Sequence, residues 1–231
     1  MDYAVFDWDY TLHRSYTLFT WIDFLCSERI LSEQIQDALK EMQKKYDLGL
    51  ISHDAYAEMA CREYALAVKG LPAARLKEIL PAYMEWDRQL LFPFTEGLFR
   101  YLKNRHIETV IITGAPGSVL EQYREYFGFK NIYAFEAEVH SGVYTGKIRC
   151  NHGSRKEGIM ALLAKEYGSS PVFAFGDSSS DLPLLRAAEQ AVCIGTSALA
   201  GCPEGTLYIS PDTGPEELIA RLQNPAGPPL P

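Results

Sequence analysis

Tyr3-Ala4-Val5-Phe6-Asp7-Trp8-Asp9-Tyr10-Thr11 is a four-residue apolar run closed by two carboxylates, with a threonine just beyond. A short, wholly apolar run reads as a strand buried on both faces, the kind found in parallel sheets. The pattern returns at Val172–Phe175, followed by Gly176-Asp177-Ser178-Ser179-Ser180-Asp181, and in a hydroxyl version at Val110-Ile111-Ile112-Thr113-Gly114. Polar groups directly after buried parallel strands sit at the carboxyl edge of the sheet, where open α/β folds build their sites. Two pairs of acids, a hydroxyl and a lysine at one edge are the inventory of metal-assisted phosphoryl transfer.

Outward from these segments, the chain divides by rhythm. From Ser15 to Phe92 it reads as consecutive helices. Ser32 and Ser52 are candidate N-caps, and Pro72 opens a fourth helix that Pro81 is expected to kink or split. From Thr95 a βα alternation resumes: helix Thr95–Asn104, strand Glu108–Thr113, helix Ser118–Tyr126 and strand Asn131–Phe135. A hairpin turning at Ser141-Gly142 follows, then helix Gly153–Tyr167, strand Val172–Phe175, helix Ser180–Ala187, strands Ala191–Ile194 and Leu207–Ile209, and a helix from Pro215. This rhythm predicts an α/β fold, a Rossmann-like three-layer parallel sheet with an inserted helical cap. The expected core is discontinuous, residues 1–14 and 93–223, with the cap at 15–92. The proline-rich tail, 224–231, is expected to be disordered.

Composition narrows the partners. The 231 residues are 47% hydrophobic and 23% charged, with a net charge of −8. An acidic chain without basic clusters argues against nucleic acid, and no apolar run is long enough for a membrane span. The five cysteines form no Cys-x-x-Cys pair and are odd in number. They read as reduced structural thiols, and with no signal peptide after Met1-Asp2 the expected location is cytoplasmic. The oligomeric state is not legible.

Each candidate residue has a chemical reason. Asp7 is the expected nucleophile, because a carboxylate attacking phosphorus splits a hard hydrolysis into two easier steps. Asp9, two residues on along an extended strand end, shares its side and suits proton transfer to and from the leaving oxygen. Asp177 is the expected metal ligand, supported or joined by Asp181. Three acids beside a phosphate need a cation, and oxygen-only ligands select Mg2+. The Thr113 hydroxyl and the following N–H of Gly114 suit a phosphoryl oxygen. Lys156 neutralises phosphate and nucleophile together. His13 and His152 read as polar loop residues rather than substrate contacts.

Asp7-x-Asp9-x-Thr11, Thr113, Lys156 and Gly176-Asp177-(x)3-Asp181, in that order, resemble the four motifs of the haloacid dehalogenase superfamily. The segment from Tyr144 to Lys156, with a helix after it, resembles the phosphoserine-phosphatase-like branch. The resemblance implies a Mg-dependent phosphomonoester hydrolase acting on a small phosphorylated metabolite through an aspartyl-phosphate, with the backbone carbonyl of Asp9 completing the metal set. A phosphotransferase would use the same residues, and a receiver-like phospho-aspartate signalling protein, from another class, also pairs acids with a Thr and a Lys; both are kept as alternatives. A dehalogenase would need neither Asp9 nor Asp177 and Asp181. Two positions depart from the pattern. Tyr10 replaces a small residue. Tyr16 stands where phosphoserine phosphatases carry a glutamate for the substrate ammonium, so a leaving group without a free ammonium is expected there, a sugar, polyol or aromatic phosphate among them.

Overall fold

The structure is a computed structural model whose described residues are 1–195 and 198–225, the side chain of Asp54 excepted. The expected tail lies outside them from residue 226 onward.

Seven strands form one sheet in the order β4-β3-β2-β1-β5-β6-β7. They are β1 (Tyr3–Phe6), β2 (Glu108–Pro116), β3 (Asn131–His140), β4 (Val143–Asn151), β5 (Phe173–Gly176), β6 (Gln190–Ile194) and β7 (Leu207–Ile209). All neighbours run parallel except the β3–β4 hairpin. Phe6 pairs with Ile111 on one side and Phe175 on the other, so β1, β2 and β5 reach the same edge in register. The backbone N–H of Asp7 extends this ladder by donating to the Phe175 carbonyl (3.0 Å).

Side-chain alternation divides the core. Tyr3 and Val5 face a cluster with Met160 and Leu163 of α7 (Lys156–Tyr167) and Leu184 of α8 (Leu182–Ala187). Ala4 and Phe6 face the opposite cluster, which takes in α5 (Thr95–Asn104), α6 (Gly117–Phe127) and α9 (Pro215–Gln223). Both faces are therefore covered, and an all-apolar β1 is the sequence such burial requires.

Four helices intervene between β1 and α5: α1 (Thr17–Ser27), α2 (Gln34–Asp47), α3 (His53–Ala67) and α4 (Ala73–Asp87). Their apolar side chains, Trp21, Leu39 and Tyr64 among them, belong to the same cluster as Phe6. Ser52 caps α3 by accepting the Ala55 N–H, whereas Ser32 lies before the Glu33 cap of α2. Pro81 neither ends nor splits α4. It lies on the exposed face, and so does Lys77, whose carbonyl loses the proline's missing donor and is free to take water instead.

β2 and β3 run past their expected ends. Pairing of β2 with β3 breaks after Ile112 and resumes at Pro116, leaving Thr113-Gly114-Ala115 as an irregularity at the sheet edge. β3 continues to His140 because its outer half pairs with β4.

Candidate active site

Asp7, Asp177 and Asp181 each place a carboxylate oxygen within 4.8 Å of the others'. Lys156, the first residue of α7 and 5% exposed, reaches between them. Its Nζ donates to Asp7 Oδ1 (2.8 Å) and to Asp181 Oδ1. Burial disfavours the lysine's charge, but Asp181 and Asp7 outweigh it and hold the ammonium above its ordinary value.

Asp181 has committed both oxygens. Oδ2 accepts the N–H groups of Asp177 and Ser178 (3.0 Å each) and the Ser178 hydroxyl (3.2 Å), a capping box on the turn that opens α8. Burial works against its ionisation, yet Lys156 and these N–H donors keep its carboxyl below the usual range. The fit requires Gly176, since a Cβ there would collide with the Asp181 side chain.

Asp177 is the opposite case. Burial, with Asp7 and Asp181 nearby, pushes its carboxyl up to about 8. The Thr11 hydroxyl donates to its Oδ1 (3.1 Å) and lies farther from Asp7 Oδ2 (3.4 Å). Three carboxylates share one ammonium, so the cluster has more negative charge than it has cations to meet it. A hard divalent cation with oxygen ligands fits this donor set.

Asp9 points its Oδ1 at the start of α1, accepting from Thr17 N (2.9 Å) and Thr17 Oγ1 (2.6 Å). It does the work of an N-cap side chain, which Tyr16 at the cap position does not do. Burial raises its carboxyl to about 7, despite His13 and Thr17. A carboxyl poised there suits donation and return of a proton near neutral pH.

Thr113 is buried, its Oγ1 accepting the Ala115 N–H (3.2 Å). Gly114 beside it is approached closely by Gly153, where a Cβ would lie 2.7 Å from the Gly114 backbone. Tyr10 has φ +57°, which explains a small residue in the related pattern: a left-handed residue carries a steric penalty that glycine avoids, about 1–2 kcal/mol for an ordinary side chain.

Asp7, Asp9, Tyr10, Thr113, Gly114, Lys156 and Asp177 line one cavity of about 290 Å³, whereas Thr11, Thr17 and Asp181 stand behind its wall. Its floor is Asp7, Asp9, Thr113, Lys156 and Asp177, and its roof is Tyr16, Phe19, Tyr46, His53 and Tyr56 from α1, α2 and α3. Tyr16 lines this roof with Phe19, Tyr46, His53 and Tyr56, company the sequence did not announce. Asn151, at the end of β4, also lines the cavity, and its Oδ1 holds the Gly153 N–H (3.1 Å). Thr17, Asn151 and Gly153 were not singled out by motif. Their only signal is position, beside a helix start or a strand end on the same sheet edge.

His13 is no loop residue at the surface. It is wholly buried and donates from Nε2 to Asp87 Oδ1 (3.1 Å), while Nδ1 faces the Ser15 carbonyl (2.9 Å). Burial alone would lower its pKa, but the hydrogen bond and charge of Asp87 raise it. The Ser15 N–H also approaches Nδ1 (3.3 Å), so it is the hydrogen bond and charge of Asp87, not the count of acceptors, that favour the imidazolium. His152 stacks edge-on against Tyr133 outside the cavity wall.

Related proteins share both sequence and fold. A histidinol-phosphatase from Neisseria meningitidis serogroup C is 25% identical over 211 residues, 84% of this chain and 90% of that protein. A phosphoserine phosphatase from Archaeoglobus fulgidus is 27% identical over 188 residues, 80% of this chain but 49% of that longer protein. A phosphoserine phosphatase solved as a phospho-aspartyl intermediate analogue superposes with a TM-score of 0.64 at 18% identity, over 95% of this chain and 97% of that one. No helix among the described residues is long and apolar enough to cross a membrane. The haloacid dehalogenase-like hydrolase family matches residues 4–186, most of the chain and every motif segment, and this protein belongs to it.

Proposed function

We propose that this chain is a Mg-dependent phosphomonoester hydrolase that works through an aspartyl-phosphate on Asp7. The observation that carries the reading is the buried Asp7–Lys156–Asp177–Asp181 cluster on the floor of a closed-in cavity, with a raised carboxyl at Asp9 beside it. In the first step an Asp7 oxygen bonds to phosphorus as the P–O bond to the alcohol breaks, and Asp9 gives its proton to the departing oxygen. Thr17 holds Oδ1 of Asp9 with two donors, so the proton belongs on Oδ2. In the second step water attacks phosphorus, its proton goes to Asp9, and the bond to Asp7 breaks.

Lys156 meets the charge of Asp7 and the phosphoryl oxygens, and Thr113 with the Gly114 N–H binds another of those oxygens. Asp7, Asp177 and the Asp9 carbonyl would hold the magnesium. Asp181, both oxygens committed, holds Lys156 and the Asp177 turn in place rather than joining as a ligand. A bound magnesium supplies the positive charge that the acid cluster and a phosphate dianion together require. Helices α1–α4 form a cap that covers the cavity and contacts the leaving group. Of the related enzymes, one named for histidinol phosphate and others for phosphoserine support a small phosphorylated metabolite as the substrate.

The test is phosphate release from p-nitrophenyl phosphate after dialysis against EDTA and again after magnesium is restored. Turnover should fall below about one per cent in the chelator and return with magnesium. Full activity in EDTA would reject the mechanism, and release of phosphate to added alcohols in preference to water would make the enzyme a transferase.

A further inference from the structure

The roof rings of the cavity form a circuit. Tyr16 meets Phe19 edge-on at 5.3 Å, Phe19 meets Tyr56 at 5.6 Å, and Tyr56 stacks on Tyr46 at 5.4 Å. Tyr46 meets His53 at 5.9 Å, and His53 returns to Tyr16 at 6.1 Å, where Nε2 and the Tyr16 hydroxyl share a hydrogen bond of 2.7 Å. Tyr10 adds a ring edge-on to Tyr16 at 4.8 Å. Ordinary core packing would cover such rings. Here only Tyr56 is buried, and all six line the cavity.

Among the described residues, acids outnumber cations on the cavity wall around this circuit. Asp9 and Asp177 share the cavity wall with Tyr10 and Tyr16. Glu58 sits at the rim, with one oxygen 3.5 Å from Arg62 in a solvent-exposed pair. The one buried cation on the cavity wall, Lys156, is at the phosphate end.

We propose that this aromatic circuit is the leaving-group subsite and that it takes a trialkylammonium cation, so that the substrate is the phosphate monoester of a trialkylammonium alcohol. The inference rests on the phosphomonoesterase reading and deepens it. Ring faces attract a cation, and best one whose charge is spread over carbon and asks for no hydrogen-bond acceptor. A primary ammonium has three N–H groups to satisfy, and the position that supplies a carboxylate in phosphoserine phosphatases is Tyr16. A polyol would press its hydroxyls against π faces and lose their hydrogen bonds to water. This subsite takes a leaving group without a free ammonium and disfavours a polyol. Chemically the reaction is the hydrolysis already described: the P–O bond breaks, the alcohol leaves with the proton of Asp9, and water replaces it on phosphorus.

The experiment compares kcat/KM, with magnesium, for choline phosphate, its neutral isostere 3,3-dimethylbutyl phosphate, ethanolamine phosphate and phosphoserine. p-Nitrophenyl phosphate serves as the reference ester. Choline phosphate should exceed both the isostere and the primary-ammonium esters by about tenfold or more. An isostere or a primary ammonium ester turned over as well as choline phosphate, with p-nitrophenyl phosphate still hydrolysed, overturns the cation subsite and leaves the phosphatase reading intact. Failure on every ester, the reference included, rejects both. Tyr46→Leu and Tyr56→Leu should each bring the choline-to-isostere ratio towards one. The ratio is taken within one preparation, so a partly unfolded variant still reports, and a ratio unmoved in both would exclude the rings.

Discussion

Two buried ionic clusters lie close together in this molecule, and they are built on opposite rules. In the one around Asp87, a single carboxylate meets a single cation and two phenols. His13 and Tyr83 donate to Oδ1 (3.1 and 2.6 Å), Tyr123 donates to Oδ2 (2.7 Å), and all four residues are sealed from solvent. In the one around Lys156, three carboxylates share one ammonium, and Asp7 and Asp177 face an open cavity. The first is balanced and has nothing left to bind. The second is unbalanced, and its imbalance is directed at the place where a phosphate and a cation would sit. Burial alone therefore does not mark a functional charge; an uncompensated charge with access to a cavity does.

The contrast breaks most sharply at Asp7. Asp7→Asn keeps an oxygen for Lys156 and removes one charge from an overcrowded cluster, so the fold should be untouched. Turnover should fall by at least about three orders of magnitude, since the covalent step has no substitute. Phosphate release above about one per cent of the parent, with an unchanged circular dichroism spectrum and melting temperature, would show that Asp7 is not the nucleophile.

Asp87→Ala should give the reverse signature. It strands the His13 imidazolium and two buried hydroxyls at the junction of the loop after β1, α4 and α6. Breaking a buried pair in this way costs about 3–5 kcal/mol. Denaturant melts should register that loss, while turnover per folded molecule falls less than tenfold. A variant as stable as the parent would mean that the network contributes little, and the distinction between the clusters would rest on the cavity alone.

The division between what was legible and what was not follows the range of the interactions. β1, β5 and the inner half of β2 declare themselves because a strand buried on both faces has no polar residue until it reaches the sheet edge. For that reason Asp7, Asp9, Thr113 and Asp177 could be named from residue type and place, whereas Lys156 is told from Arg155 only by the family resemblance. The roof could not. Tyr16, Phe19, Tyr46, His53 and Tyr56 meet only because α1, α2 and α3 pack at particular angles, and along the sequence each ring reads as one more apolar or polar helix position. Asp87 is hidden likewise: it meets His13 across 74 residues, and a lone acid at the end of a helix gives no hint of a buried cation. Thr17 is the intermediate case, since a helix that starts without its own capping side chain leaves donors that some nearby acid must accept.

The smallest expected effect concerns the charge state of that closed network. His13 has its pKa raised above the ordinary histidine value, the hydrogen bond and charge of Asp87 outweighing burial, with the charge of Asp9 and the Ser15 carbonyl assisting. A raised histidine binds its proton more tightly folded than unfolded. Its contribution to stability is then complete below the unfolded value of about 6.5 and declines as pH rises through the folded one. Asp9 and Asp177, also raised, tilt the parent's stability the same way, so the slope of the parent alone does not isolate His13. The useful quantity is the stability difference between the parent and His13→Gln, which retains a hydrogen-bond donor for Asp87 without the charge. Followed by denaturant melts from about pH 6 to pH 9, that difference should be largest at the acid end and shrink towards the alkaline end. A difference that stays constant would make the network a set of neutral hydrogen bonds. One that grows with pH would place a neutral imidazole beside Asp87, leave the aspartate without its cation, and remove the charge balance that separates this cluster from the one around Lys156.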